Sequence, residues 1–152
     1  MLLALAHRPQ LLVLDEPSSG LDPIVRRDIL TAIIRTVAEE GRNVLFSSHL
    51  LEEVERVADY VAMIHRGRIV LSGQLDSILA AHRLLTLHFA ETPQAPPRLP
   101  GVLSSVGEGR EWTCLCNGEI ELAVRAAAEA GAEIVQQRAA TLEEIFVARS
   151  TG

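Results

Sequence analysis

Apolar, strand-like runs alternate with helical patterns over the first half of the chain, and this alternation limits the possible folds most. The run LLVLD (11–15) is short, continuous and apolar, which is typical of a buried strand. A strong helix start follows, with Asp22 as the N-cap and Pro23 at the first helical position, and Gly41 is predicted to end this helix. NVLFSSH (43–49) is the next strand, and YVAMIHRGRIVLSG (60–73) is predicted to form two strands around a turn at Arg66-Gly67. Strand, helix and strand in this order predict an α/β fold with a mostly parallel sheet in three layers.

The sequence changes in character in its second half. The run LLTLHFA predicts a strand, and the segment after it, TPQAPPRLPG, has four prolines in ten residues, too many for a regular element. Short strand and helix patterns follow, and Thr141 with Glu144 has the spacing of a capping box at the start of a last helix. We therefore predict an α/β domain over residues 1–82 and a small α+β domain over residues 83–152.

Composition excludes several classes of protein. The net charge of −6, without any basic run, argues against a nucleic-acid partner. The apolar runs are too short for a membrane span, and LLALA (2–6) is predicted to end a helix near Pro9 rather than to form a secretory signal. The five histidines show no metal-binding spacing, and Cys114 and Cys116 are predicted to be ordinary strand residues on one face. A soluble cytoplasmic chain is the expectation.

Two adjacent carboxylates, Asp15 and Glu16, end the first apolar strand. Open α/β sheets bind their ligands at the carboxyl ends of parallel strands. One carboxylate there can hold Mg²⁺ through water, and its neighbour can take a proton from an attacking water. Taken alone, the pattern also fits two solvated acids in a turn, because apolar runs that end in acids are common.

Three motifs follow one another in the sequence: LLVLDEP, then SSGLDP, then, after one helix and one strand, SSHLLEEVERVAD. In this order and separation they resemble the ATPase subunit of ABC transporters. In that family the strand ending in Asp-Glu is the Walker B motif, SGLD is the D-loop, and the histidine after the next strand is the switch histidine. The resemblance covers residues 1–82 and implies a partial P-loop NTPase fold, a three-layer sheet with a small α+β appendage.

The resemblance implies a role for each matching residue. Asp15 corresponds to the acid that holds the hydrated magnesium ion, and Glu16 to the general base, or the orienting residue, for the hydrolytic water. Asp22 corresponds to the D-loop aspartate, which reaches toward the nucleotide site of a second subunit; this role is compatible with a helix N-cap. His49 corresponds to the switch residue that contacts the γ-phosphate.

Other residues do not match the motifs of the family. The segment LSGQ (71–74) resembles the LSGGQ signature but follows the switch histidine instead of preceding Walker B, so we predict that Ser72-Gly73 is a turn between a strand and a helix. Four residues match no motif position and are predicted to be surface or boundary residues: Glu52, Glu53, His65 and His82.

The chain also lacks motifs of the family. It has no GxxxxGK[ST] phosphate loop, no Q-loop and no true signature. The resemblance therefore implies the carboxyl-terminal half of an ABC ATPase, from a truncated gene or a misplaced start. ATP and Mg²⁺ are the cofactors of the family, but we expect weak or absent binding by this chain alone. Its function is then either energy coupling by ATP hydrolysis or, as the alternative, a non-catalytic interaction module for a permease or a full-length ATPase.

The second half of the chain also resembles part of this family, although less closely. A small α+β extension that ends in a helix such as ATLEEIFV is similar to the one that follows the ATPase domain in exporters of drugs, antibiotics and lipids. It implies a membrane permease as a partner and a peripheral position on the cytoplasmic face of the membrane. The D-loop motif implies a second ATPase subunit as a further partner.

Overall fold

The computed structural model describes residues 8–151, except for some side chains of one helix: Pro23, Ile24, Arg26, Arg27, Ile29 and Ile33. The helix predicted at residues 2–6 lies outside this range. The described elements are β1 (Leu11–Leu14), α1 (Pro23–Glu39), β2 (Asn43–Phe46), α2 (Leu51–Val57), β3 (Tyr60–His65), β4 (Arg68–Gln74), α3 (Leu75–Ala81), β5 (His82–Phe89), β6 (Val102–Glu108), β7 (Glu111–Asn117), α4 (Ile120–Glu129), β8 (Ala132–Ala139) and α5 (Leu142–Ser150).

The chain forms two compact units, the first ending at Ala58 and the second beginning at Asp59. Both mix helices with small sheets, which confirms the α/β class in its general form. The boundary predicted between residues 82 and 83 was placed where the family motifs end, whereas the two units are defined by their compactness. It therefore stays a prediction. The part of the chain that the structure describes has no helix with the length and apolar character that crossing a bilayer requires.

The first unit contains a parallel pair of strands joined by helix α1. Strands β1 and β2 are in register from Leu11 opposite Asn43 to Leu14 opposite Phe46. The helix begins at Pro23, directly after Asp22, as predicted from the Asp-Pro pair. Because parallel strands in register end at the same level, the residues that follow β1 and β2 lie side by side.

Helix α1 ends in a Schellman motif, which agrees with the predicted stop at Gly41. The N–H of Gly41 donates to the carbonyl of Ala38 at 2.9 Å, and the N–H of Arg42 donates to that of Val37 at 3.1 Å. Gly41 has φ of +69°, a left-handed conformation that costs a glycine little. The glycine therefore turns the chain back into β2.

The strand β1 is buried on one face only, so the prediction of a buried strand is correct for that face and wrong for the other. Leu11 and Val13 are 53% and 63% exposed. The other face packs against the last turns of α1 through a small apolar cluster: Leu12, Leu14 and Val37, with Val44 and Phe46. A continuous apolar run thus behaves as an alternating strand, because α1 covers one side of this two-stranded sheet.

In the second unit, β3 and β4 form an antiparallel hairpin. Its turn residues, Arg66 and Gly67, both have positive φ (+49° and +74°), which is the type I′ turn that suits the twist of a hairpin, and the turn lies where the sequence predicted it. The predicted turn at Ser72-Gly73 is wrong: both residues pair within the hairpin, and α3 begins directly after β4. Ile78 of α3 packs beside Gly73, where a Cβ would meet it at an ordinary contact distance of 3.5 Å.

A four-stranded antiparallel sheet, in the order β6-β7-β5-β8, forms the rest of the second unit. Helix α4 contributes Ala123 and Ala127 to a core that includes Leu85 and both cysteines. Burial raises the pKa of Cys116 to about 11, so the thiol stays protonated at neutral pH. The two cysteines are core residues of a strand, as predicted.

Helix α5 starts with the predicted capping box. The Thr141 hydroxyl accepts from the N–H of Glu144, and the Glu144 carboxylate accepts from the N–H of Thr141. The same carboxylate receives two hydrogen bonds from the Arg138 guanidinium, at 2.5 and 2.9 Å. The Arg138 hydrogen bonds are the main cause that lowers the pKa of Glu144 to about 2, so the cap stays ionised well into the acid range.

The four residues predicted to lie at the surface or boundary differ in burial. Glu52 is exposed, as predicted, and His65 is half-buried with its ring 6.2 Å from that of Phe146. His82, in contrast, is 2% exposed, so a surface position is wrong for it. It begins β5, and the neighbouring elements α3 and α5 provide its polar contacts.

His82 is held as a neutral imidazole. Its Nδ1 lies 2.7 Å from the carbonyl of Ile78, which can only accept, so Nδ1 carries the proton. Its Nε2 lies 3.5 Å from Nη2 of Arg149 and can accept from it. Burial is the main cause that lowers the pKa of His82; the charge of Arg149 adds to it, and the bond to Ile78 opposes both.

We expect the free energy of unfolding to fall as the pH drops below about 6.5, because the unfolded imidazole then binds a proton before the folded one does. The stabilisation is complete above that pH and is lost as the pH falls toward the lowered pKa of folded His82. Urea unfolding at pH 7.5 and pH 5.5 measures the difference. His82→Gln should reduce this pH dependence, whereas His88→Gln, at a 44% exposed side chain, should leave it intact. Equal pH dependence in the parent and His82→Gln would contradict the assignment.

Candidate functional site

The two acids lie at the carboxyl edge of the parallel pair, where the sequence predicted them. Asp15 and Glu16 follow β1, and Ser47 follows β2. The N–H of Ser47 donates to the carbonyl of Leu14 at 2.9 Å, which extends the pairing by one step beyond the strands. The strand register therefore brings residues from two separate motifs to one place.

A hydrogen-bond network joins the two strand ends. The Ser47 hydroxyl donates to Asp15 Oδ1 at 2.5 Å and accepts from the N–H of Glu16 at 2.9 Å. His49 Nδ1 lies 2.8 Å from Glu16 Oε2. A carboxylate can only accept, so Nδ1 of His49 carries a proton in this contact, and Nε2 is the acceptor in the neutral imidazole. The network thus fixes both the side chain of Asp15 and the tautomer of His49.

Glu16 has an unusual backbone conformation. Its φ is +44°, in the left-handed region that residues other than glycine enter at a cost of about 1–3 kcal/mol. The bond from its N–H to Ser47 and the bond from the Ser19 N–H to its carbonyl, at 3.0 Å, hold this turn. The strained turn separates the directions of two consecutive acids, so that Asp15 meets Ser47 while Glu16 meets His49.

The site is open to solvent, and its donors suit a hydrated magnesium ion. The side chains of His49 and Glu16 are 66% and 35% exposed. Asp15 and Ser47 provide hard oxygen donors, which Mg²⁺ prefers, and Mg²⁺ commonly uses one or two carboxylates with water and phosphate oxygens. Residues 8–151 contain no cluster of three or more acidic, histidine or cysteine side chains that could hold a metal ion. Two oxygen donors at neighbouring strand ends fit an ion whose other ligands are water and phosphate oxygens.

Asp22 lies at the far end of the same loop, exposed and directly before α1. This position suits a helix N-cap. Its predicted role in a second subunit's nucleotide site is not tested by the geometry of one chain, and it stays a prediction.

Three residues of this region were not predicted from the sequence: Ser18, Ser47 and Glu53. Ser47 could have been found, because a hydroxyl directly after a strand parallel to β1 must lie next to Asp15. Ser18 and Glu53 form a buried pair: the Ser18 hydroxyl donates to Glu53 Oε2 at 2.7 Å, and the two residues are 2% and 6% exposed. The surface position predicted for Glu53 is therefore wrong. Nothing in the acidic LEEVER pattern distinguishes it from its exposed neighbour Glu52.

Relatives of known class share part of the sequence. The chain is 40% identical over 92 residues to the energy-coupling factor transporter ATP-binding protein EcfA of Methanoculleus marisnigri, which covers 60% of this chain and 33% of the relative. It is 38% identical over 86 residues to the ABC transporter ATP-binding protein NatA of Bacillus subtilis (57% and 35%). Part of this chain is homologous to ABC transporter ATP-binding proteins.

A third relative, the bacitracin transport ATP-binding protein BcrA of Enterococcus faecalis, is 36% identical over 83 residues, 55% of this chain and 27% of the relative. The matched segments span about a third of the length of these curated relatives. No protein-family model matches the chain. The homology supports a partial relationship to the P-loop NTPase fold and confirms the family resemblance of the three motifs.

Proposed function

We propose that this chain provides the Walker B, D-loop and switch-histidine part of the ATP-hydrolysing subunit of an ABC transporter. The observation that carries the proposal is the 2.8 Å contact between Glu16 and His49, which joins two of the three motifs at the end of a parallel strand pair. Part of the chain is homologous to this family, and both residues in the contact lie at motif positions of the family. A chance contact between two surface residues would not be expected to join two such positions.

In this proposal Glu16 accepts a proton from the water that attacks the γ-phosphate of ATP. The Nδ1–H of His49 donates a hydrogen bond to the Glu16 carboxylate and so holds it in one orientation, while Nε2 remains for a phosphate-bound proton or water. Catalysis of phosphoryl transfer depends mainly on such positioning and on charge stabilisation.

Asp15, oriented by the Ser47 hydroxyl, would hold Mg²⁺ through water. When bound, the ion would neutralise charge on the phosphates of ATP. The strained turn at Glu16 keeps the two acids in different roles, because the carboxylate of Asp15 is occupied by Ser47 and that of Glu16 by His49.

The wider assembly is also part of the proposal. The residues 1–82 would complete a three-layer P-loop sheet with a segment that carries GxxxxGK[ST] and LSGGQ, and Asp22 would face the nucleotide of a second ATPase subunit. A membrane permease would be the transport partner. The names of the relatives mention an energy-coupling factor transporter and bacitracin transport, and the exporter assignment rests on the looser resemblance of residues 83–152.

A second candidate function follows from one feature of the sequence. These 152 residues contain no GxxxxGK[ST], so nothing in them cradles phosphates with backbone N–H groups and a lysine. Acting alone, the chain would then be a non-catalytic module that binds a permease or a full-length ATPase.

The test uses a chimera in which this chain follows the amino-terminal part of a relative that carries the phosphate loop and signature. Asp15→Asn should weaken magnesium-dependent ATP binding by on the order of tenfold, because one anionic ligand is lost. His49→Ala should instead lower turnover by a similar factor with little loss of ATP affinity. Glu52→Gln, at an exposed neighbouring position, is the matched control. Parent-like binding and turnover in both site variants would refute the proposed roles.

A further inference from the structure

One buried polar contact near the site has no role in the chemistry described above. The Ser18 hydroxyl donates to Glu53 Oε2 at 2.7 Å, and both side chains are buried. Ser18 lies in the loop after β1, and Glu53 lies in the first turn of α2. The contact therefore joins the loop that carries Glu16 to the helix that follows His49.

A carboxylate is an expensive group to bury. Removing an ionised carboxylate from water carries a large desolvation penalty, which hydrogen bonds and favourable charges must offset. Apolar side chains of similar volume commonly stabilise a protein as well or better at such positions. The buried pair is thus better explained by the geometry that it imposes than by a gain in overall stability.

Contacts at exposed positions of the described residues also link the end of β1 to the segment between β2 and α2. Ser47 contacts Asp15 and the N–H of Glu16, and His49 contacts Glu16. Exposed polar and ionic contacts hold geometry weakly, because water competes for the same groups. The Ser18–Glu53 bond is shielded from that competition and lies two residues from Glu16 and four from His49.

We propose that Ser18 and Glu53 are positioning residues that hold the Glu16 carboxylate against His49. The buried bond fixes the loop after β1 on the first turn of α2, and the exposed network then forms on that support. The importance of this contact for hydrolysis rests on the proposed function, but the contact itself can be tested without nucleotide.

The experiment records the ring nitrogen and proton NMR signals of His49 in the full 152-residue chain. Glu16→Ala defines the signals of a His49 that has lost its carboxylate partner. Ser18→Ala should move the His49 signals most of the way to that reference. It should also speed amide exchange of Ser19 and Leu21, in the same loop, on the order of tenfold, as expected for loss of a hydrogen bond to a charged group. Glu53→Gln keeps an acceptor for the hydroxyl and should preserve the parent signals.

A double variant separates positioning from simple stabilisation. Ser18→Ala with Glu53→Met replaces both polar groups by apolar ones, so the chain should unfold at or above the parent urea midpoint. The proposal requires that its His49 signals still match the Glu16→Ala reference. Parent-like His49 signals in this variant, or its failure to fold, would overturn the proposal, because the pair would then serve only the fold.

Exposed neighbours provide matched controls. Ser19→Ala and Glu52→Gln change the same residue types one position away and should leave the His49 signals unchanged. In the chimera, the double variant should lower kcat with little change in KM for ATP. A chimera without hydrolysis would count against the proposed function alone, since the NMR result is obtained on the chain without nucleotide.

Discussion

Glu16→Gln should lower ATP hydrolysis by on the order of 10²-fold or more in the chimera that restores a phosphate loop to this chain. The amide has nearly the size of the carboxylate but cannot accept the proton of the attacking water. It can still accept a hydrogen bond from His49 Nδ1, so the 2.8 Å contact can be kept while the base is lost. ATP and magnesium binding should survive, because Asp15 and its bond to Ser47 are unchanged.

Single-turnover hydrolysis and nucleotide affinity should be measured together in the parent, Glu16→Gln and Glu52→Gln chimeras. The nucleotide-bound dimer should persist in Glu16→Gln, since hydrolysis is the step expected to release it. Hydrolysis at the parent rate in Glu16→Gln would show that the two acids of LLVLDEP have been assigned the wrong roles.

The sequence predicted the local elements well where short-range chemistry determines them. The start of α1 at Pro23, its end before Gly41, the turn at Arg66-Gly67 and the capping box of Thr141 with Glu144 each depend on a few neighbouring residues. The position of Asp15 and Glu16 at a strand end was predictable for the same reason. Their contacts with Ser47 and His49 needed one further fact, the parallel register of β1 and β2.

Burial was the weaker part of the prediction, because it depends on which elements meet. Glu53 and Glu52 are identical and adjacent, yet only Glu53 faces Ser18 in the interior. His82 can be buried because its two ring nitrogens contact the carbonyl of Ile78 and the guanidinium of Arg149, residues from different helices. A sequence pattern shows which side chain occupies a position, but it does not show which residue tertiary packing places next to that side chain.

The left-handed backbone at Glu16 was equally invisible in the sequence. Glutamate rarely adopts positive φ, so the pattern Asp-Glu-Pro gave no reason to expect it. The strain is retained because several bonds determine the turn together, through Ser47, Ser19 and the buried Ser18–Glu53 pair.

The 152-residue chain alone should show no saturable, magnesium-dependent binding of ATP in the micromolar range. P-loop proteins obtain most of their phosphate contacts from a glycine-rich loop and its lysine, and this chain contains no GxxxxGK[ST]. The side chains that it does bring together, Asp15 and Glu16, are acidic, and a net charge of −6 further disfavours a triphosphate. Calorimetric titration with Mg-ATP should give only heats of dilution, whereas the chimera should bind under the same conditions. A micromolar dissociation constant for the chain alone would mean that its phosphate site is built from residues other than a phosphate loop. It would contradict the proposal that a separate amino-terminal segment supplies the phosphate contacts.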